Sequence, residues 1–429
     1  MSSLTVTLIL FSLLLLLLFL NVPLVVSIGL PTALIMLGSG MKVATLAQRT
    51  YASVDSFTLM AIPFFMLAGK LMEVGGMSKR IVRLADCLVG WMAGGMAHVI
   101  VVASAFFGAL SGSAAATTAA IGSTLIPEMK KRGYPADFVA GIQAVAGALG
   151  VIIPPSITMI MYGVCSSTSI GKLFMAGIVP GIVLALFLMV TIAYQAKKRK
   201  ISQMNTFTFK ELGTAFLDAI PALLVPTIIL GGIYGGIFTP TEAGAVAATY
   251  GFLAGAFWYK EINLQNIGNI MGGAIVNTVL VMIVVGASGA FSWLLTSAGV
   301  SSLLGKAISA IAGNKYIFLL VANLIFIFIG MFIESVAGIL IVTPILLPIA
   351  TSLGVDPVHF GIIMVVNLAL GLTTPPVGEN QYIAAAIAEI PFEEEVKASI
   401  PFLIAGFAAL AVITYVEPLS LWLPGILGM

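Results

Sequence analysis

The sequence predicts an all-α integral membrane protein made of two inverted-topology repeats, each with a re-entrant helical hairpin and a broken helix. Three observations predict it. Of 429 residues, 60% are hydrophobic and 8% charged, where a soluble domain carries roughly 25% charged residues. Apolar stretches of about 20 residues, the length that spans a bilayer, recur almost end to end, with room for roughly ten to fourteen helices including re-entrant ones. The third observation is a duplication: "GALGVIIPPSITMI" at 147–160 is echoed by "LALGLTTPPVGENQ" at 368–381.

The duplication keeps one spacing. An offset of 221 residues pairs Pro154 with Pro375 and Pro155 with Pro376, and without a gap Pro127 with Pro348, Gly133 with Gly354, Gly150 with Gly371 and Pro180 with Pro401. A proline inside a helix removes a backbone donor and clashes with the preceding turn, at a cost of ~3 kcal/mol or more. In lipid the freed backbone groups must find partners in protein, water or an ion. Matching interruptions in two halves of a chain point to a transport site.

Charge gives the orientation. Residues 1–214 hold 15 of the 19 Lys and Arg but only 6 of the 17 Asp and Glu. At the repeat offset Lys130, Lys131 and Arg132 fall on Thr351, Ser352 and Leu353, and the run Lys197–Lys200 falls on Pro418–Leu421. Basic loops stay in the cytoplasm, so the halves, 1–200 and 201–429, are expected to insert upside down relative to one another. Glu393–Glu395 then lie on the cytoplasmic side and Lys172 outside, a trend against the rule in which acidic residues weigh little. A net charge of +2 with no basic tract among aromatics argues against a nucleic-acid partner.

The elements follow in order. The N-terminal stretch to Leu20 lacks the basic start and cleavage site of a signal peptide and reads as a retained span; "NVPLVVSIGLPTALIML" is the second helix. Val43–Thr58, less apolar, reads as an interfacial segment before the span that Pro63 opens. A hairpin is expected at about 87–128, turning at Gly108–Ser113, because "SGSAAATTAAIGS" allows close helix approach; the alternative is two full spans with a small-residue packing face. A broken helix follows at about 138–165. In the second half, Phe209, Leu212, Phe216 and Ile220 recur at helical spacing, so about 207–220 reads as an interfacial arm joining two rigid bodies or as an ordinary amphipathic linker. Tyr234–Glu242 is a polar interruption or simply a tight loop, and Lys260 with Glu261 marks another loop. The second hairpin is expected at about 310–350, turning near Gly330–Ser335, and the second broken helix at about 359–390. Cys87 and Cys165 have no metal-ligand spacing. His98 and His359 have no carboxylate or second histidine near in sequence. The cysteines read as buried thiols, and the histidines as packed or interfacial side chains rather than proton relays.

A half-helix beginning at a proline presents unpaired N–H groups and a positive dipole end, which suit an anion; the half-helix ending before it presents carbonyls, which suit a cation such as sodium. Sodium is therefore assigned to the hairpin tips and the breaks. The first half supplies Ser111, Gly112, Ser113, Gly150 and Pro154, and the second Gly330, Glu334, Ser335, Gly371, Thr373, Thr374 and Pro375. Substrate is assigned to Thr117, Pro155, Ser156 and Thr158, and to Asn367, Gly378, Glu379 and Asn380. One serine in a membrane helix bonds its own preceding turn, but hydroxyl clusters beside two backbone breaks favour a site. Glu334 at mid-bilayer would cost ~2.5–3.5 kcal/mol, so it faces a cavity, a cation or a base, unless the tip is shallow enough to be wet. No phosphate-cradling loop, aspartate-rich pair or histidine–carboxylate cluster appears, so no enzyme activity and no organic cofactor are expected.

Over essentially the whole chain, "SFTLMAIPFFMLAGKLME", "SGSAAATTAAIGSTLIPEM", "GVIIPPSITMIMYG", "GGIYGGIFTPTEAGAVA", "IGMFIESVAGILIVTPILLPI" and "GLTTPPVGENQYIA" resemble the large membrane subunit of tripartite ATP-independent periplasmic (TRAP) transporters. The resemblance implies an elevator-type ion transporter with scaffold and transport parts in the bacterial inner membrane. It implies sodium-driven import of a small organic acid, a periplasmic substrate-binding protein that delivers it, and a small membrane subunit, here expected as a separate chain. The family commonly has a hydrophobic residue after the second "PPVG", where this chain has Glu379, Asn380 and Gln381. That departure turns the expectation from a simple dicarboxylate toward a hydroxyl-rich acid such as sialic acid or a sugar acid. A stand-alone sodium/carboxylate symporter is the alternative within the same class; an intramembrane enzyme or an immobile scaffold subunit would be of another.

Overall fold

A computed structural model describes residues 2–20, 22–201, 208–300, 303 and 314–428, and every regular element among them is helical. Six helices are long and apolar enough to cross a bilayer, and the bent pair Ala136–Ile152 with Ile157–Ser166 adds a seventh candidate.

The helices sort by what they bury. An outer group packs mutually through Ser3–Phe19, Leu24–Gly38, Val43–Val54, Ala61–Val74, Phe209–Tyr234, Pro240–Leu253 and Ile267–Ser297. Its large side chains, such as Ile283, Ile275 and Leu217, point outward, while small residues such as Ala274, Ala215 and Ala219 face inward. That is how a lipid-facing helix packs, because lipid is as apolar as leucine and close approach needs small residues. The central group holds the hairpins and broken helices. Every residue from Val358 to Gly371 is buried, as is every residue from Phe138 to Ala146. Helices that are apolar all round belong at the middle of such a bundle.

The hairpin limbs are Met96–Ser111 with Ala114–Lys131, and Lys315–Gly330 with Ser335–Ser352. Both turns fall where the sequence places them. The first hairpin opens later than residue 87, because Met77–Val89 is a helix of its own. One face of it buries Met77, Ile81 and Leu84; the other carries Lys79, Arg80 and Arg83. Arg80 bonds Glu261 at 2.5 Å and Arg83 lies 3.5 Å from Asp218, tying this helix to the outer group. Burial alone would raise the Glu261 carboxyl, but the bonded Arg80 and nearby Lys79 outweigh it and hold the group below its ordinary range. Residues 310–313 of the second hairpin lie outside the described residues.

The segment read as an arm at 207–220 does not stop there. From Phe209 it continues unbroken to Tyr234, with Phe209 and Phe216 exposed and Ala215 and Ala219 turned inward; residue 207 lies outside the described residues. Tyr234–Glu242 is a tight loop closed by a capping box, in which Thr239 and Glu242 bond each other's backbone N–H. His98 is buried on the Ala93 carbonyl, and His359 between Ser420 and Thr414, as packed side chains.

Two contacts fix the relative direction of the broken helices. Lys130, at the foot of the first hairpin and just before Ala136, donates to the carbonyl of Ala388 at 2.7 Å. Tyr162, near the far end of the first broken helix, donates to Pro357 at 2.6 Å, where the second begins. Each broken helix thus starts where the other finishes, and they run antiparallel. Ala114–Lys131 and Ser335–Ser352 are both 18 residues long and start 221 apart, as do the helices opening at Ala136 and Pro357. After the prolines the register slips. Ile157–Ser166 and Glu379–Ala388 are both 10 residues long but start 222 apart, and the left-handed residues that end them, Ser167 and Glu389, keep that spacing. One extra residue follows the second proline pair, so Pro180 and Pro401 sit one position out of step in their helices.

Candidate functional site

At the first tip the chain reverses through Gly112, whose φ of 63° is left-handed, and Ser113 caps the returning limb by accepting from Ala116 N. Ser111 and Thr117 share a hydrogen bond of 2.9 Å, and Thr117 donates to the Ser113 carbonyl at 2.8 Å. This tip rests on the first break. A Cβ added to Gly150 would lie 2.4 Å from both the Ser113 carbonyl oxygen and the Thr117 hydroxyl, and one on Gly112 would lie 3.1 Å from the Pro155 carbonyl. Only bare backbone fits there. At the break itself the helix bends by 44°, and Ser156 caps the resumed helix by accepting from Met159 N at 3.3 Å.

The second half repeats the construction with other side chains. Glu334 caps Ser335–Ser352, its carboxylate accepting from Val336 N at 2.9 Å. A Cβ on Gly371 would lie 2.5 Å from the Gly330 Cα, so tip and break are again in backbone contact. Thr373 and Thr374 both donate to the Leu370 carbonyl at 2.7 Å, which leaves their oxygen lone pairs free to accept or to ligate. Gly378, left-handed at φ 57°, precedes the resumed helix Glu379–Ala388. Pro154–Pro155 and Pro375–Pro376 are both cis.

Both tips face one cavity of about 480 Å³, within the size range of small-molecule sites. Of the sequence-assigned residues, Ser111, Gly112, Ser113, Thr158, Glu334 and Glu379 line it. Gly150, Pro154, Pro155, Ser156, Gly330, Gly371, Thr373, Thr374 and Pro375 are not on that lining; they belong to the breaks and to the contacts between tip and break. Thr117 is buried behind Ser111. Ser335 keeps a buried hydroxyl without a hydrogen-bond partner. Asn380 reaches across to the Ala144 carbonyl of the first broken helix, and its Oδ1 is likewise buried and unpartnered. Asn367 is drawn elsewhere: it donates to Asn323 at 2.5 Å and to Ile363, in a buried network that continues to Thr414. That network ties the second broken helix to its hairpin and to Phe392–Tyr415, away from the cavity lining.

The opposite wall comes from the outer group and escaped the sequence reading. Ala61–Val74 contributes Lys70 and Glu73, paired at 3.0 Å, and Ile267–Ser297 contributes Asn277. Their signal was present: ionisable residues inside an apolar span are rarely there without a task. Among the described residues no group of three or more His, Cys, Asp or Glu is placed to hold a metal ion, so an ion here would be held by hydroxyl, carbonyl and single carboxylate oxygens.

Residues 8–419 match the family described as tripartite ATP-independent periplasmic transporter, DctM component. The C4-dicarboxylate TRAP transporter large permease protein DctM of Pseudomonas aeruginosa is 42% identical, over 94% of this chain and 95% of that one. The isethionate TRAP transporter permease protein DctMQ of Oleidesulfovibrio alaskensis is 43% identical over 94% of this chain, which spans 64% of that longer protein. In fold the chain is also similar to the YdaH transporter of Alcanivorax borkumensis, with a TM-score of 0.63 at 14% identity, over 89% of this chain and 87% of that one. These relatives are named as transporters and permeases, not enzymes. The chain belongs to the DctM family: it is a multi-pass large permease subunit of a tripartite ATP-independent periplasmic transporter.

Proposed function

We propose that this subunit imports an organic acid across the bacterial inner membrane, driven by sodium, with the hairpins and broken helices moving as one body against the outer helices in an elevator motion. The supporting observation is the pairing of each backbone-only tip with its break, both pairs opening on one cavity whose far wall belongs to the other helix group. Sodium ions would use Ser111, Ser113 and the carbonyls around Gly150 at one tip, and Glu334, Thr373 and Thr374 at the other. The solute would lie between them, against Thr158 and Glu379. A periplasmic binding protein would deliver it, and a separate small membrane subunit would brace the outer group. Hydroxyl-bearing acids, sialic and sugar acids among them, would bond Glu379, the one polar residue just after the second break that lines the cavity, where a bare dicarboxylate has no donor to offer.

The energetics are sufficient. Two sodium ions entering with a monovalent anion move one net charge, worth ~2.3 kcal/mol at 100 mV, and a tenfold sodium gradient adds ~1.4 kcal/mol per ion, roughly 5 kcal/mol together. The test is uptake into proteoliposomes holding this chain and its small subunit, with candidate soluble receptors added one at a time. Uptake is expected only with an inward sodium gradient and the matching receptor. Sodium-independent uptake would defeat the coupling, and uptake without any receptor would make this a stand-alone symporter.

A further inference from the structure

We propose that the solute taken into this cavity is a zwitterion, an organic acid that also carries an ammonium-type group. The inference rests on reading the cavity as the solute path and names the solute's chemical class. Its basis is that the two halves line the cavity with opposite chemistry at equivalent places. Ser113, the cap of the first returning limb, stands 221 residues before Glu334, the cap of the second. Ile157, the first residue of the helix resumed after the first break, stands 222 before Glu379. The tip and break of the first half therefore offer hydroxyls and helix N-termini with no acid among them; those of the second offer two carboxylates.

The ionisable groups on the cavity wall are Lys70, Glu73, Glu334 and Glu379, three acids against one base. The base is occupied, since Lys70 bonds both Glu73 oxygens at 3.0 and 3.1 Å. Among the described residues Glu334 has a backbone N–H but no basic partner. Glu379 makes no hydrogen bond or ion pair with any described residue. Both carboxylates are exposed to the cavity, and charges that meet across a binding site are complementary. One sodium ion at the second tip answers Glu334, and Glu379 remains for the solute. A dianion would set like charges against it. The hydroxyls of a sugar acid would bond it but leave its charge unbalanced. A solute ammonium balances it, while the solute's acid group turns to the N-termini capped by Ser113 and Ser156, where the helix dipoles favour an anion. Met66, Leu280 and Ile383 supply an apolar wall for the carbon between the two charges.

Matched probes that differ by one ammonium test this: aspartate against succinate, and taurine against isethionate. Each is titrated into the purified full-length chain with its small subunit in sodium chloride, and the rise in melting temperature is followed. The ammonium-bearing member of each pair is expected to act at about tenfold lower concentration or less, the Glu379→Gln variant to bring the pair within about twofold, and Glu379→Asp to keep the preference. Equal or better response to succinate and isethionate overturns the proposal. So does a preference untouched in E379Q, or silence from both ammonium-bearing probes up to about 10 mM. Repeating the titrations in potassium chloride separates the two readings. A preference that persists without sodium sinks the coupling and supports the zwitterion. A sodium-dependent response without a preference does the reverse.

Discussion

The two hairpin tips are the same object built twice with different chemistry. Each ends in a reversal, each returning limb is 18 residues long and capped at an equivalent position, and each tip touches its own break through bare backbone. Yet the first surrounds its turn with the hydroxyls of Ser111, Ser113 and Thr117, and the second places Glu334 at the cap. What has been kept is where the chain bends and where it must be thin. What has changed is the charge presented to the cavity. Glycines and prolines fix the geometry of this site, and the capping residues differ in the charge they present to it.

The contrast can be broken most severely through what the halves share. Valine at Gly371 or at Gly150 would place carbon where backbone or hydroxyl oxygen already lies within 3.0 Å of a first added Cβ. Overpacking of that kind costs ~1–3 kcal/mol or more, so folded yield by size-exclusion chromatography should fall sharply for both variants. Gly268→Ala, which has nothing within 4 Å, should change stability by no more than ~1 kcal/mol, in the favourable direction. A G371V protein that melts like the wild type would remove the backbone contact from the account.

A smaller and unequal effect is expected from what the halves do not share. Glu334→Gln should raise the sodium concentration for half-maximal uptake by about tenfold, and Ser113→Ala or Thr374→Ala by about two- to threefold, expression being unaffected. Equal shifts in all three would erase the difference between the tips. The smallest effect concerns the join between the halves. Lys130→Met removes the ammonium that sits on the Ala388 carbonyl beside Glu389, and should lower the melting temperature by the equivalent of ~1 kcal/mol, since the group is partly exposed. An unchanged melting temperature would leave that contact without a role.

Much of this was legible in the sequence because it is written in residues with local meaning. Pro154 and Pro375 restrict the backbone and Gly112 frees it for a left-handed turn, so both breaks and the first turn could be placed from the chain alone. Met77–Val89 was overlooked because its basic face resembles the loop charges around it, and only its contacts with Glu261 and Asp218 reveal a separate helix. The continuity from Phe209 to Tyr234 was hidden by a polar first turn and by Pro221 and Pro226, which look like stops but lie inside the helix. Asn367 was assigned to the cavity because a helix buried on every side has no periodicity from which to read direction. Lys70, Glu73 and Asn277 were quoted or passed over for the same reason: which span faces which is a property of packing, and no single span records it.

The additional residue after the second pair of prolines bears on how such a molecule can diversify. A helix turns about 100° per residue, so a residue that keeps the 221 spacing beyond that insertion, as Pro401 does with Pro180, faces about 100° away from its counterpart. A substitution copied from one half to the other at that spacing would therefore meet different neighbours. The two lips of the chamber can therefore change their side chains independently while the bends that shape it stay where they are.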